Sequence, residues 1–166
     1  MEGHAGMGIE RDELRALQEV LHHEIPLSRQ IGLVAQDYDG ECLALRAPLA
    51  PNINHKSTAF AGSLNATATL AGWGLTWLLL REQGLRGVIV IHESNARYEL
   101  PVADDFVATC RRPPERAVER FLAALRRRGK ARLALTVEIL DATGRVAVVF
   151  TGSYVAFIEL ESGRQG

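Results

Sequence analysis

TAFAGSLNATATLAGWGLTWLLLREQ, residues 58–83, decides the fold. From Ala59 to Leu80 it carries no charged residue, and a run of that length meets the requirement for a membrane span. Asn65, Thr67, Thr69 and Thr76 interrupt it, however, and no second span accompanies it. The remaining reading is a helix apolar on all faces because it is buried on all faces. Ala59, Ala61, Gly62, Ser63, Ala66 and Ala68 let other backbone approach its first half, whereas Trp73, Trp77, Leu78, Leu79 and Leu80 fill volume around its second. Ser57 or Thr58 is the expected N-cap.

The flanking segments supply what such a helix needs around it. Residues 10–24 place Leu14, Leu17, Val20 and Leu21 at helical spacing, and Pro26 stops that helix. Residues 31–38 and 41–47 read as strands about a turn at Asp39-Gly40. Strands are expected again over 87–100, 105–111, 131–140 and 145–158, the last two joined by a turn at Thr143-Gly144. Leu133, Leu135, Val137 and Ile139 alternate onto one face. A second helix over 114–128 buries Val118, Phe121, Leu122 and Leu125; Pro113 and Pro114 suit its first turn and Gly129 its C-terminal stop. Hairpin connections favour an antiparallel sheet, giving an α+β domain. Such a sheet buries a helix on every side only by curling round it and borrowing a second surface, which predicts a homodimer or a dimer of dimers.

The 166 residues suffice for one domain with a real core and are too few for two. The expected domain is 10–160, with residues 1–9 and 161–166 disordered. A net charge of −1 gives no global field toward nucleic acid or a membrane surface. Cys42 and Cys110 form no CxxC pair and suit a reducing compartment; MEGHAGMG lacks an apolar signal core, so a cytoplasmic location is expected.

No GxSxG, P-loop, GxGxxG or HExxH motif is present, and the adjacent His22 and His23 point to different helix faces, so no metal is expected. The candidate site is the loop Asn52-Ile53-Asn54-His55-Lys56-Ser57-Thr58, just ahead of the buried helix. The first amides of that helix lack internal partners, and its dipole favours negative charge nearby. The amides around Thr58, Phe60, Ala61, Gly62 and Ser63 are therefore candidates to bind an acyl oxygen, with Asn52 and Asn54 as neutral donors. Both asparagines equally belong to turn chemistry, and the two readings stay open at this point. The helix has no Asp or Glu before Glu82, so it offers no carboxylate nucleophile or base. Decarboxylation of a β-carboxy thioester needs only oxyanion stabilisation, whereas hydrolysis would call on His55 or Glu93 as base. Glu93, Asn95 and Arg97 alternate onto one strand face, which suggests a cleft or a subunit interface, and which an exposed strand explains equally well. Between Arg111 and Arg132 nine basic residues face two acidic ones, a local charge of +7. That stretch, with Arg126, Arg127, Arg128 and Lys130 at its centre, is either a solvated helix face or a dock for an acidic carrier or for coenzyme A phosphates.

PNINHKSTAFAGSLNATATLAGWGLTWLLL (51–80), ARYELPV (96–102), GKARLALTVEI (129–139) and IPLS (25–28) resemble the YiiD C-terminal family, over roughly residues 10–160. The resemblance implies a hotdog fold, a dimer and acyl-thioester chemistry, with no cofactor beyond the substrate's own phosphopantetheine or coenzyme A. It further implies decarboxylation of malonyl-acyl carrier protein to the acetyl form for fatty-acid initiation, with Asn54 as the critical loop residue and Asn52 beside it. An acyl-CoA or acyl-carrier thioesterase and a non-catalytic acyl-carrier binding module are the alternatives. Two departures bear on substrate choice: HESNARY (92–98) has Glu93 and Asn95 where the family strand resembles ADAHIRY, and Lys56 stands where related sequences often have His.

Overall fold

In the computed structural model the chain is described over residues 4–160, with side chains from Arg11 onward. The order is α1 (His4–Glu24), α2 (Leu27–Ile31), β1 (Val34–Tyr38), β2 (Cys42–Ala47), a 3-10 turn (Ala50–Asn52), α3 (Ala61–Glu82), β3 (Val88–Tyr98), β4 (Phe106–Arg111), α4 (Glu115–Arg128), β5 (Lys130–Leu140) and β6 (Val146–Phe157). The six strands form one antiparallel sheet in the order β1-β2-β4-β5-β6-β3. α1 begins at His4 rather than at residue 10; residues 1–3 and 161–166, where disorder is expected, lie outside the described part. The first strand starts at Val34, not 31, because Pro26 opens a second short helix, closed by Gly32 in the left-handed region (φ 75°).

α3 touches five of the six strands, and the sheet curls around it. Leu64, Ala68, Leu75, Leu78 and Leu79 are buried in the core it shares with Leu43, Leu45, Phe106, Leu133, Val137, Phe150 and Tyr154. Helix and sheet come close at Gly72. A methyl group there would collide with the Tyr154 phenol, whose hydroxyl donates to the Thr69 carbonyl at 2.8 Å. At the far end of the helix Tyr38 donates to one oxygen of Glu82, and Arg112 donates to the other at 2.8 Å. Burial, and then the bond to Glu82, raise the Tyr38 hydroxyl above its ordinary pKa.

The two sheet edges differ. β1 is five residues long and bulged between Ala35 and Asp37. Gln18 on α1 bonds along it, accepting from the Ala35 amide at 2.5 Å and donating to the Leu33 carbonyl at 3.1 Å. β3 is eleven residues long, pairs on one side only, and exposes Val88 (64%) and Val90 (43%). A long apolar edge of this kind invites pairing with another chain.

Candidate functional site

The loop before α3 folds back on itself. Phe60 N–H donates to the Asn52 carbonyl (2.7 Å), Asn54 N–H to the Thr58 carbonyl (2.8 Å), and Ala59 N–H to the Val102 carbonyl (2.7 Å). Ser57, at the tip, is the one non-glycine with positive φ (60°) among the described residues. Such a conformation costs roughly 1–3 kcal/mol and persists where neighbours hold it.

Asn52 is 3% exposed, and its Nδ2 donates to the carbonyls of Ile31 (2.8 Å) and Pro48 (2.7 Å). Both amide protons are thereby engaged, so Asn52 fastens the loop rather than offering a donor to a ligand. Asn54 is half-buried. Its Oδ1 accepts from the amides of Lys56 (2.8 Å) and Thr58 (3.2 Å); its Nδ2 donates to Thr58 Oγ1 at 3.0 Å and faces the Ala59 carbonyl at 3.4 Å. His55 and Lys56 are exposed on the outside of the loop.

The expected N-cap role of Ser57 or Thr58 is corrected. The Thr58 hydroxyl and amide turn to Asn54, and the helix starts three residues later with Phe60 in the cap position and no side-chain cap. Ser63 and Leu64 amides return to the Phe60 carbonyl (3.0 and 3.1 Å), whereas the amides of Ala61 and Gly62 have no partner among the described residues. Both residues are exposed, with the Phe60 ring lying over Gly62. Two unpaired amides at the positive end of a 22-residue helix make an electrophilic point suited to a carbonyl oxygen that gains charge.

The placement of Glu93 and Asn95 in the acyl site is also corrected. Ile89 and Ile91 face α3, and simple alternation carries Glu93 and Asn95 onto the same face. β3 is bulged at His92, however: Ile91 pairs with Tyr154 and Glu93 with Ser153. The extra residue inverts the alternation. Ser94, Ala96 and Tyr98 then face the helix, while Glu93, Asn95 and Arg97 stand on the outer surface beside Thr151 and Ser153. The residue that replaces them at the site is Tyr98, whose hydroxyl lies 3.4 Å from the Ala61 carbonyl and 3.4 Å from Asn65 Nδ2. Counting one bulge into HESNARY would have found it.

The basic stretch divides. Arg112 is tied to Glu82, Arg126 donates to Gln83 Oε1 at 2.6 Å, and Lys130 sits over the Phe157 ring at 5.1 Å. Arg127 and Arg128 are exposed. Through Gln83 this cluster adjoins the C-terminal end of α3, on the order of 30 Å from the Asn54 loop by helical rise. Trp73 and Trp77 are packed against the core but remain half-exposed on a stripe of α3 that also carries Gly62, Ala66, Thr69 and Arg81. That stripe runs alongside β3.

Among the described residues no group of three or more His, Cys, Asp and Glu side chains is arranged to hold a metal ion, and no helix is long and apolar enough to cross a membrane.

Residues 14–158 match the model of the YiiD C-terminal family, described as "Putative thioesterase (yiiD_Cterm)". Solved structures agree. A protein of unknown function from Chlorobaculum tepidum superimposes with TM-score 0.87 at 33% identity, over 90% of this chain and 97% of that one. A "putative thioesterase" from Shewanella oneidensis gives TM-score 0.80 at 32% identity, over 89% and 99%. A Pseudomonas aeruginosa protein described as "Probable Thioesterase" gives 0.75 at 24%, over 87% and 95%, and speaks for the fold alone. A helix wrapped by an antiparallel sheet, with a polar loop feeding its N-terminus, thus places this chain in the YiiD C-terminal family of hotdog-fold, thioesterase-like proteins.

Proposed function

We propose that the protein decarboxylates a malonyl group carried on an acyl carrier protein, leaving the acetyl thioester that initiates fatty-acid synthesis. The observation that carries this reading is the pair of exposed amides of Ala61 and Gly62, unpartnered among the described residues, at the start of a helix with no Asp or Glu before Glu82 at its far end. In the reaction the bond from the α-carbon to the carboxylate breaks and CO₂ leaves. The electron pair moves into an enolate whose oxygen takes hydrogen bonds from the two amides, and the α-carbon then takes a proton from water. Asn54 holds the loop that aims those amides. Its 3.4 Å bond to the Ala59 carbonyl is the longest it makes, and is the one the departing carboxylate would displace. This scheme requires no metal or redox cofactor.

The working unit in this proposal is a cytoplasmic homodimer, or a dimer of dimers, paired through the bare β3 edge, with Arg127 and Arg128 available to an acidic carrier. The family description favours a second reading, a thioesterase in which the exposed His55 activates water. Glu93, turned to the outer face, is not a base for it within one protomer.

Incubation of the full chain with malonyl-acyl carrier protein, followed by intact mass, separates the readings. Loss of CO₂ with the thioester retained supports decarboxylation, and an Asn54→Ala variant that stays folded is then expected to lose most of its turnover. Release of free acid and free thiol supports the thioesterase. Saturable binding without turnover identifies a carrier-binding module, and overturns both.

A further inference from the structure

The exposed stripe of α3 does not open into one continuous groove. On the N-terminal side lies an apolar cavity of about 350 Å³, lined by Ile25, Leu27, Ala66, Thr69, Ile91 and Tyr154 among others. On the C-terminal side lies a more polar one of about 620 Å³, which includes Trp77, Arg81 and Arg86. Among the described residues Trp73 is the one that lines both. Its indole reaches from α3 to the edge strand, where Nε1–H donates to the Ile89 carbonyl at 3.1 Å. The contacts along the two elements run in register: Tyr98 beside Ala61, Ile91 beside Thr69, Ile89 beside Trp73. The ring therefore closes the gap between helix and strand like a partition.

We propose that Trp73 is a specificity-determining wall: the smaller cavity receives the alkyl part of an acyl thioester, and the indole sets the longest chain that fits. This rests on the reading above that an acyl carbonyl sits at Ala61 and Gly62. One helical turn on from Gly62, Ala66 opens the cavity, whose walls are Ile25, Leu27, Ile91 and the Tyr154 ring. These walls bind methylenes and, the Thr69 hydroxyl aside, are apolar, with no cationic side chain for a carboxylate or phosphate, so the ligand class is a saturated alkyl chain. The Tyr154 hydroxyl is already bonded to the Thr69 carbonyl, and burial raises its pKa, so it stays a neutral wall group.

The test uses S-alkyl coenzyme A thioethers from ethyl to dodecyl as non-reactive probes, with binding to the full chain followed by calorimetry. Affinity is expected to rise about fourfold per added methylene while the chain fills the cavity, the value of a buried CH₂, and then to stop rising. In Trp73→Ala the two cavities merge and the break moves to chains several methylenes longer; in Trp73→Phe, which keeps a ring, it moves little. Ala66→Leu fills the smaller cavity from the opposite side and shortens the break, which keeps the idea testable if Trp73→Ala does not fold. An unchanged break in Trp73→Ala or in Ala66→Leu, affinity flat with chain length, or no binding by any probe overturns the assignment. Chain-length dependence without malonyl turnover would remove the decarboxylase reading and leave the wall. Malonyl turnover with flat affinities would do the reverse.

Discussion

Gly72→Ala tests the contact on which the fold turns. The added methyl meets the Oη, Cζ and Cε2 atoms of Tyr154 at distances that real side chains do not show. The phenol can yield only toward the cavity it borders: Tyr154 is 0% exposed, it is bonded to the Thr69 carbonyl, and its ring and that of Phe150 already crowd the space above Gly152. Overpacking of a well-filled core costs about 1–3 kcal/mol. Pushing the hydroxyl off the Thr69 carbonyl leaves a buried donor and acceptor unpaired, for about 1–3 kcal/mol more. Against this, alanine is better than glycine inside a helix by about 1 kcal/mol. The net expectation is a loss of about 3 kcal/mol, several times the helix-propensity gain and opposite to it in sign. Urea unfolding followed by circular dichroism measures it, at fixed protein concentration because any oligomer ties stability to concentration. The same change made in a Tyr154→Leu background should cost at least ~1 kcal/mol less, the coupling expected of residues in contact. A neutral or stabilising Gly72→Ala, or additive behaviour of the two changes, would refute the close approach of α3 to β6.

Asn52→Ala should destabilise by about 2 kcal/mol or more, because two buried carbonyls lose their donor; Asn52→Asp should be worse, since it sets a carboxylate against those same oxygens, and thermal melts of the two rank them. Asp141 accepts from Thr143 and Arg145, and those bonds hold its carboxyl down to about 2 from an ordinary value of 3.8. Its contribution is therefore complete above about pH 4 and lost as pH falls toward 2, and urea midpoints for Asp141→Asn should fall less steeply across that window than those of the parent. Under the proposed pairing through β3, the double change Val88→Lys and Val90→Lys should yield monomers by light scattering; an unchanged mass would move the interface elsewhere.

Most of the architecture was legible because it follows from two periods. The helical spacing of Val118, Phe121, Leu122 and Leu125 and the alternation of Leu133, Leu135, Val137 and Ile139 each name a buried face, and the structure buries both sets; the uncharged run of α3 is buried along most of its length but leaves Ala61 and Gly62 exposed and Trp73 and Trp77 half-exposed, rather than buried on every side. What the sequence concealed were local inversions. Thr58 has the chemistry of an N-cap, yet Asn54 competes for it and wins, so the helix starts later and with bare amides. Asn52 has the chemistry of a ligand donor, but α2, whose end supplies the Ile31 carbonyl, was itself hidden behind Pro26. One extra residue at His92 sends Glu93 and Asn95 outward and Tyr98 inward, and a bulge of that kind leaves no compositional mark.

The same bulge links the edge of the sheet to the chemistry. Before it, β3 offers Ile89 and Ile91 to α3 and the apolar Val88 and Val90 to the outer surface. After it, the inner face carries Ser94, Ala96 and Tyr98 beside the start of the helix, and the outer face is charged. A single strand therefore changes from an apolar inner face to a polar one within one residue, while its edge runs the length of both. β1 is covered by Gln18, whereas β3 is met only by Trp73 at the Ile89 carbonyl among the described residues, so a second copy pairing in the proposed way would lie beside the cavity that Ile89 and Ile91 line and, at Tyr98, beside the Ala61 end of the helix. Exclusion of water at that point strengthens hydrogen bonds to a forming enolate, so dimerisation and turnover should fall together in the β3 edge variants even though neither valine touches the loop.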